Sequence, residues 1–189
     1  MAVPPQDSEF GLALPAQVRG DRAVNPSPLE EQVIALFDLL RDRVLRYVLS
    51  LGLSVQDAEE INQEVFLALF QHLRRGKPDK NLQGWVFRVA HNLALKQRQS
   101  SRRVQDLRGP EESSVDPEPS PEARLADRQR RTRLQAVLAA LPEQDQRCLA
   151  LRAEGLRYRE IAEILGISLG AVSNSLARSL ARLSRADGR

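Results

Sequence analysis

Glu60 and Glu64 stand one helical turn apart and are the pair best spaced to hold a metal or move a proton. No histidine and no second carboxylate motif follows at ligand spacing, so the ligand set of a metal-dependent nuclease or recombinase is missing. His91 likewise has no second ligand at metal spacing, and Cys148 is the only cysteine. The chain reads as a protein without catalytic chemistry of its own, needing no cofactor and no metal. What remains is hydrogen bonding and charge pairing. Arg88, Asn92, Lys96 and Gln99 fall in one row at helical spacing, followed by Arg102 and Arg103. Arginine and lysine neutralise phosphates, and asparagine can bond a base edge. The other reading of this row is a solvated basic face. Asp57, Glu60, Glu64 and Gln71 line a helix face with Gln63 beside them. That face is either solvated surface, with acids near the positive end of the helix dipole, or a docking face for a basic partner. Composition by itself favours the solvated surface.

The most organised stretch lies near the C-terminus, from Gly155 to Leu180. Ile161, Ala162 and Leu165 recur at helical spacing, and Gly166 then stops the helix. Ser168 caps a second helix whose inward stripe is Val172, Leu176 and Leu180. Helix, tight turn and helix make a helix-turn-helix, whose second helix enters the DNA major groove. With that stripe inward, Leu169, Gly170, Ala171, Ser173, Asn174 and Ala177 turn toward the groove and Arg178 toward its edge. Asn174 is the base-contact candidate, and Arg178 and Arg182 are phosphate holders.

The remaining elements are also helical. The 189 residues allow one domain or two small ones, and few aromatics with Gly and Pro outside the periodic stretches favour helix over sheet. The net charge is only +3, but arginines cluster at 98–108, 124–133 and 178–189. Residues 1–28, carrying Pro4, Pro5, Pro15 and Pro26, read as a mobile arm. A helix from Leu29 puts Val33, Phe37, Leu40, Val44, Val48 and Leu51 on one face and ends at Gly52. Ser54 to Asp57 has the form of a capping box opening a helix to about Leu73, with Ala58, Ile61, Val65, Ala68, Leu69 and His72 inward. A polar loop leads to Asn81, the expected cap of a helix from Leu82 to Arg103 with Trp85, Val89 and Leu93 inward. Residues 104–122, rich in Pro, Asp, Glu and Ser, read as a flexible acidic linker. Beyond it a basic helix with Arg124, Leu125, Arg128 and Arg131 precedes Leu141-Pro142-Glu143, the start of a helix whose apolar pattern includes Cys148. The expected architecture is all-α: two small helical domains, 29–103 and 123–186, joined by the linker. No signal-peptide pattern and no run of membrane-spanning length is present, so a cytoplasmic protein with no membrane partner is expected.

Two blocks carry a resemblance. Asp57-Ala58-Glu59-Glu60-Ile61-Asn62-Gln63-Glu64-Val65-Phe66 precedes Gly84-Trp85-Val86-Phe87-Arg88-Val89-Ala90-His91-Asn92, and after the linker come Leu141-Pro142-Glu143 and Tyr158-Arg159-Glu160-Ile161-Ala162. In this order they strongly resemble the extracytoplasmic-function subgroup of bacterial RNA polymerase sigma factors, over about 29–103 and 122–185. The resemblance implies a protein that directs core polymerase to promoters and helps open them, rather than a free-standing helix-turn-helix regulator. It implies that Asp57, Glu60, Gln63, Glu64 and Leu67 dock on the clamp helices of the largest polymerase subunit. It implies that Lys77, Asn81, Arg88, Asn92 and Lys96 recognise and melt the minus-ten element, and that the second domain reads the minus-thirty-five element. An anti-sigma factor is an implied partner, and the acidic linker would lie along the RNA path. The chain departs from the family pattern at Ser173 and Ser175, where Lys or Arg is usual, and at Arg157, where a capping Ser is common. Fewer phosphate contacts from the recognition helix, and weaker upstream binding, are expected.

Overall fold

The computed structural model describes residues 27–77, 80–105 and 123–187. Seven helices occur among them: α1 (Pro28–Ser50), α2 (Val55–Arg74), α3 (Leu82–Gln105), α4 (Ala123–Ala139), α5 (Glu143–Ala153), α6 (Tyr158–Leu165) and α7 (Leu169–Asp187). The acidic segment expected to link the halves falls mostly in 106–122, and the N-terminal arm in 1–26, both outside the described residues.

Local chemistry sets the helix ends. Ser27 and Glu30 bond each other's backbone N–H groups in a capping box, with Pro28 in the first turn, so α1 starts just ahead of Leu29. Gly52 closes it at φ +82, a left-handed backbone that glycine adopts without steric cost. Ser54 accepts the Asp57 N–H at 3.1 Å, as expected. The returning half of that box is absent: Asp57 instead accepts the Ser54 hydroxyl at 2.6 Å and the Gln97 amide at 2.7 Å. An aspartate is one methylene shorter than the glutamate that completes such boxes, and here it ties α2 to α3.

In the first half α1, α2 and α3 pack on one another. Leu40, Val44, Tyr47 and Val48 of α1 meet Ala58, Ile61, Val65, Phe66 and Leu69 of α2, all buried. Phe37 and Phe66 meet edge to face at 4.9 Å. The stripe expected on α3 needs correction. Trp85, Val89 and Leu93 are only partly buried, whereas Val86, Phe87, Ala90 and Ala94 are completely buried. The cause is that α3 contacts α1, α2 and α6, so its apolar face is wider than a single stripe.

In the second half α7 runs against α4, α5 and α6. Cys148, Leu151, Leu156, Ile161, Val172 and Leu176 are fully buried or nearly so. The two halves touch: α6 lies against α3 and α5 against α1. Their buried apolar side chains form one contiguous cluster.

Candidate nucleic-acid interface

The helix-turn-helix is built by its turn. Gly166 sits at φ +66, and the N–H groups of Gly166 and Ile167 both return to the Ala162 carbonyl. Ser168 Oγ accepts the Ala171 N–H at 3.1 Å and opens α7. The chain direction turns by 107° between α6 and α7, within the range of helix-turn-helix units. Arg157 heads α6 without an acceptor to offer; only Glu160 closes back, taking the Arg157 N–H at 2.6 Å.

The facing of α7 differs from expectation at Leu180, Ser175 and Ser179. Leu180 is 54% exposed, not inward, while Ser175 and Ser179 are completely buried. The inward positions are Val172, Ser175, Leu176 and Ser179, because the line of contact drifts round a straight helix and small serines let α5 approach closely. The Ser179 hydroxyl bonds the Ser175 carbonyl at 2.8 Å, so its burial leaves no unmet donor. Ser175 is therefore not a groove position, and a lysine there would be buried. Leu169, Gly170, Ser173, Asn174, Ala177 and Arg182 are exposed, and Ala171 is half-buried. Arg178 reaches back to α5, donating to Asp145 at 2.8 and 3.3 Å. Asp145 is only 1% exposed. Burial pushes its carboxyl up, but the Arg178 and Ser175 hydrogen bonds outweigh this and hold it below the usual range. Arg178 thus fixes the seat of α7 on α5, with its guanidinium still half exposed.

On the first half, Asn81 and Gly84 form a unit. Asn81 has φ +56, and its Oδ1 accepts the Gly84 N–H at 3.1 Å. A Cβ on Gly84 would come within 2.5 Å of the Asn81 amide. Asparagine tolerates the left-handed backbone and caps α3 from it. Lys77, Asn92 and Lys96 are exposed. Arg88 is not free: it pairs with Glu163 of α6 at 2.9 Å. The structure thus brings Asn81, Arg88, Asn92 and Lys96 onto one helix and its cap, with Lys77 on the preceding loop. The residues of α7 form a separate surface. On α2, Glu60, Gln63, Glu64 and Leu67 are exposed, Leu67 by 58%, and Asp57 is half-buried.

The family model "Sigma-70 region 2" matches residues 36–104, and "Sigma-70, region 4" matches 131–183. The ECF RNA polymerase sigma factor SigE of Mycolicibacterium smegmatis is 32% identical over 184 residues, covering 96% of this chain and 69% of the relative. The chain belongs to the ECF sigma factors of RNA polymerase. The sigma factor CnrH of Cupriavidus metallidurans is 28% identical over 189 residues, covering 95% of this sigma factor and 94% of CnrH. In fold it is similar to the sigma factor RpoE from Bartonella quintana, solved with the anti-sigma factor NepR, at a TM-score of 0.60 and 23% identity over 82% of this chain and 94% of that one. As a sigma factor it acts in transcription initiation, with core RNA polymerase and promoter DNA as partners. A free-standing regulator is not favoured.

Several residues of this sigma factor escape sequence reasoning. Tyr47 Oη and His91 Nδ1 share a buried hydrogen bond of 2.7 Å. Burial, and next the charge of Arg147, push the His91 pKa down to about 4, so the ring is neutral. Burial also raises the Tyr47 hydroxyl above its ordinary range. Glu154, 9% exposed, receives Arg46 in two hydrogen bonds of 3.0 and 2.8 Å, and Arg43 donates to its backbone carbonyl. Each pair spans far-apart positions, so no local pattern announces it.

Proposed function

We propose that residues 29–103 form a unit that docks on core polymerase and opens the minus-ten element, and that 123–186 form the minus-thirty-five reader. Docking uses the outer face of α2, through Asp57, Glu60, Gln63, Glu64 and Leu67, against the clamp helices of the largest subunit. The observation that carries this is Leu67: an exposed leucine among exposed acids is the make-up of a docking face with an apolar centre and charged rim. Lys77, Arg88 and Lys96 neutralise phosphates, while Asn92 and the free amide of Asn81 meet unpaired bases. On α7, Ser173, Asn174 and Ala177 face the major groove and Arg182 its phosphate edge, with Leu169, Gly170 and Ala171 at the helix start nearest the DNA.

The chain supplies no bond-making chemistry, which belongs to the polymerase. It acts in the cytoplasm, where that enzyme works. Among the described residues no single helix is long and apolar enough to cross a membrane. An anti-sigma factor is a further partner, a reading supported by RpoE, which was solved with the anti-sigma factor NepR.

Reversing the charge of α2 tests the docking face. Glu60→Arg with Glu64→Arg places like charges across a basic-partner interface, a change costing several kcal/mol. Holoenzyme should disappear from a core pull-down while circular dichroism stays unchanged. Continued co-elution with core overturns the assignment.

A further inference from the structure

A crevice of about 390 Å³ lies between Leu51 and Gly52 at the end of α1, Arg98 of α3, and Leu141, Glu143 and Arg147 at the start of α5. Two guanidiniums meet there on one carboxylate. Arg98 Nη1 donates to Glu143 Oε1 at 2.7 Å, and Arg147 Nη2 donates to the same oxygen at 2.7 Å. Both arginine side chains are largely withdrawn from water, with 22% and 25% of their surface exposed. No second carboxylate of the described residues pairs with either. Arg147 Nε is buried, and nothing among the described residues accepts from it. One negative charge thus serves two positive ones in a poorly hydrated place, and one donor goes unmet.

Such a site is short of an anion. A charge drawn out of water is costly until it is paired, and a guanidinium pairs best with an oxyanion that takes two parallel N–H bonds. Glu143 gives Arg147 only one, and shares that oxygen with Arg98. Its side chain is 55% exposed, so it can swing into solvent without becoming a buried charge. The place it vacates offers Nε and Nη2 of Arg147 side by side, with the Arg98 fork beside them. A phosphate group has oxygens enough for both forks, whereas a single carboxylate satisfies one. The crevice also has room beyond a phosphate, since its volume falls in the range of small-molecule sites. Leu51, Leu141 and the bare backbone of Gly52 supply an apolar wall. The excess charge is felt nearby: after burial, Arg147 is the next cause holding the His91 pKa down.

We propose that this crevice between α1, α3 and α5 binds a small phosphorylated anion of the nucleoside-diphosphate class, whose phosphates bridge Arg98 and Arg147 in place of Glu143. Glu143 is the internal stand-in that the ligand displaces. An anion seated there touches an arginine from each half of the sigma factor. None of these residues belongs to the docking face or the promoter contacts assigned above, so the site stands or falls apart from them.

The test is titration calorimetry on the full chain without polymerase, at low salt, with inorganic pyrophosphate and ADP as probes. Both should bind. Arg98→Gln and Arg147→Gln each remove charge-assisted hydrogen bonds, and affinity should fall by about tenfold or more. Glu143→Gln removes the competing carboxylate, and affinity should rise by about tenfold on the same scale. This last change is at a half-exposed side chain, so it keeps the test decisive even if Arg147→Gln fails to fold. Arg133→Gln, at an exposed arginine outside the crevice, should leave binding unaltered. In the parent, pyrophosphate should shift the His91 ring resonances, because the anion offsets the Arg147 charge. Tighter binding of ADP than of pyrophosphate places the nucleoside against Leu51 and Leu141, and equal affinities make the diphosphate the recognised group; both results support the site. Failure of both probes to bind overturns it. So does a Glu143→Gln variant with unchanged or weaker affinity, or an Arg133→Gln variant that loses as much as Arg98→Gln.

Discussion

Replacing His91 by glutamine should flatten the acid side of this protein's stability curve. In the folded chain the His91 ring lies 96% out of solvent, bonded to Tyr47 at 2.7 Å. Its pKa is pushed to about 4 by burial first and the Arg147 charge second, against 6.5 for an ordinary histidine. The unfolded chain therefore binds a proton that the folded chain refuses, and stability rises with pH over this range. It is complete above about pH 6.5, drains as the pH falls, and levels off below about 4. The whole gap corresponds to about 3 kcal/mol, of which roughly 1 kcal/mol is lost between pH 7.5 and 5.5. Since the two halves share one apolar cluster, they should melt together, and for a chain of this size the loss lowers Tm by about 4 °C. Glutamine keeps a hydrogen-bond partner for the Tyr47 hydroxyl and does not titrate. Thermal melts of parent and His91→Gln at both pH values isolate the term, because carboxylates that titrate lower cancel in the difference. Parallel Tm changes in the two proteins would refute it. Arg147→Gln, which removes the second cause, should raise the His91 pKa, read from its ring resonances in a pH titration.

The remaining expectations concern the DNA-facing residues. Asn174→Ala should relax the sequence selected by holoenzyme from a randomised upstream element at one or two base pairs, since asparagine discriminates bases by about 1–3 kcal/mol; an unchanged selected sequence means that α7 is turned otherwise or reads shape. Arg182→Ala should weaken binding to all sequences alike and reduce the slope of log affinity against log salt by about one, and an unchanged slope removes it from the phosphate contacts. At Asn81, the left-handed backbone makes alanine costlier than glycine: Asn81→Ala should lower stability by about 1 kcal/mol more than Asn81→Gly in urea unfolding. Equal losses would show that the backbone does not select asparagine there. Asn81→Gly, which folds, should still impair opening of duplex promoters relative to a pre-melted template.

The helices and their order were legible in the chain itself, because what starts and stops a helix acts within about four residues. Gly52 and Gly166 accept a left-handed backbone, and Ser54 and Ser168 bond the next turn; these are readable one turn at a time. The family-like blocks at 57–66 and 84–92 were legible for the same reason, being local patterns. The facing of α7 was legible only in part. Val172 and Leu176 were read as inward, but the choice of Ser179 over Leu180 for the next contact was made by α5, against which a small residue fits and a leucine does not. The breadth of the buried face of α3 was likewise decided by its three neighbours. What the sequence could not express at all is the charge pairing between the halves. Arg88 and Glu163 are 75 positions apart, and Arg46 and Glu154 are 108 apart. Along the chain each is an ordinary surface charge, and only the packing of α6 on α3 and α5 on α1 brings each arginine to its acid, leaving Glu154 with little water to share it.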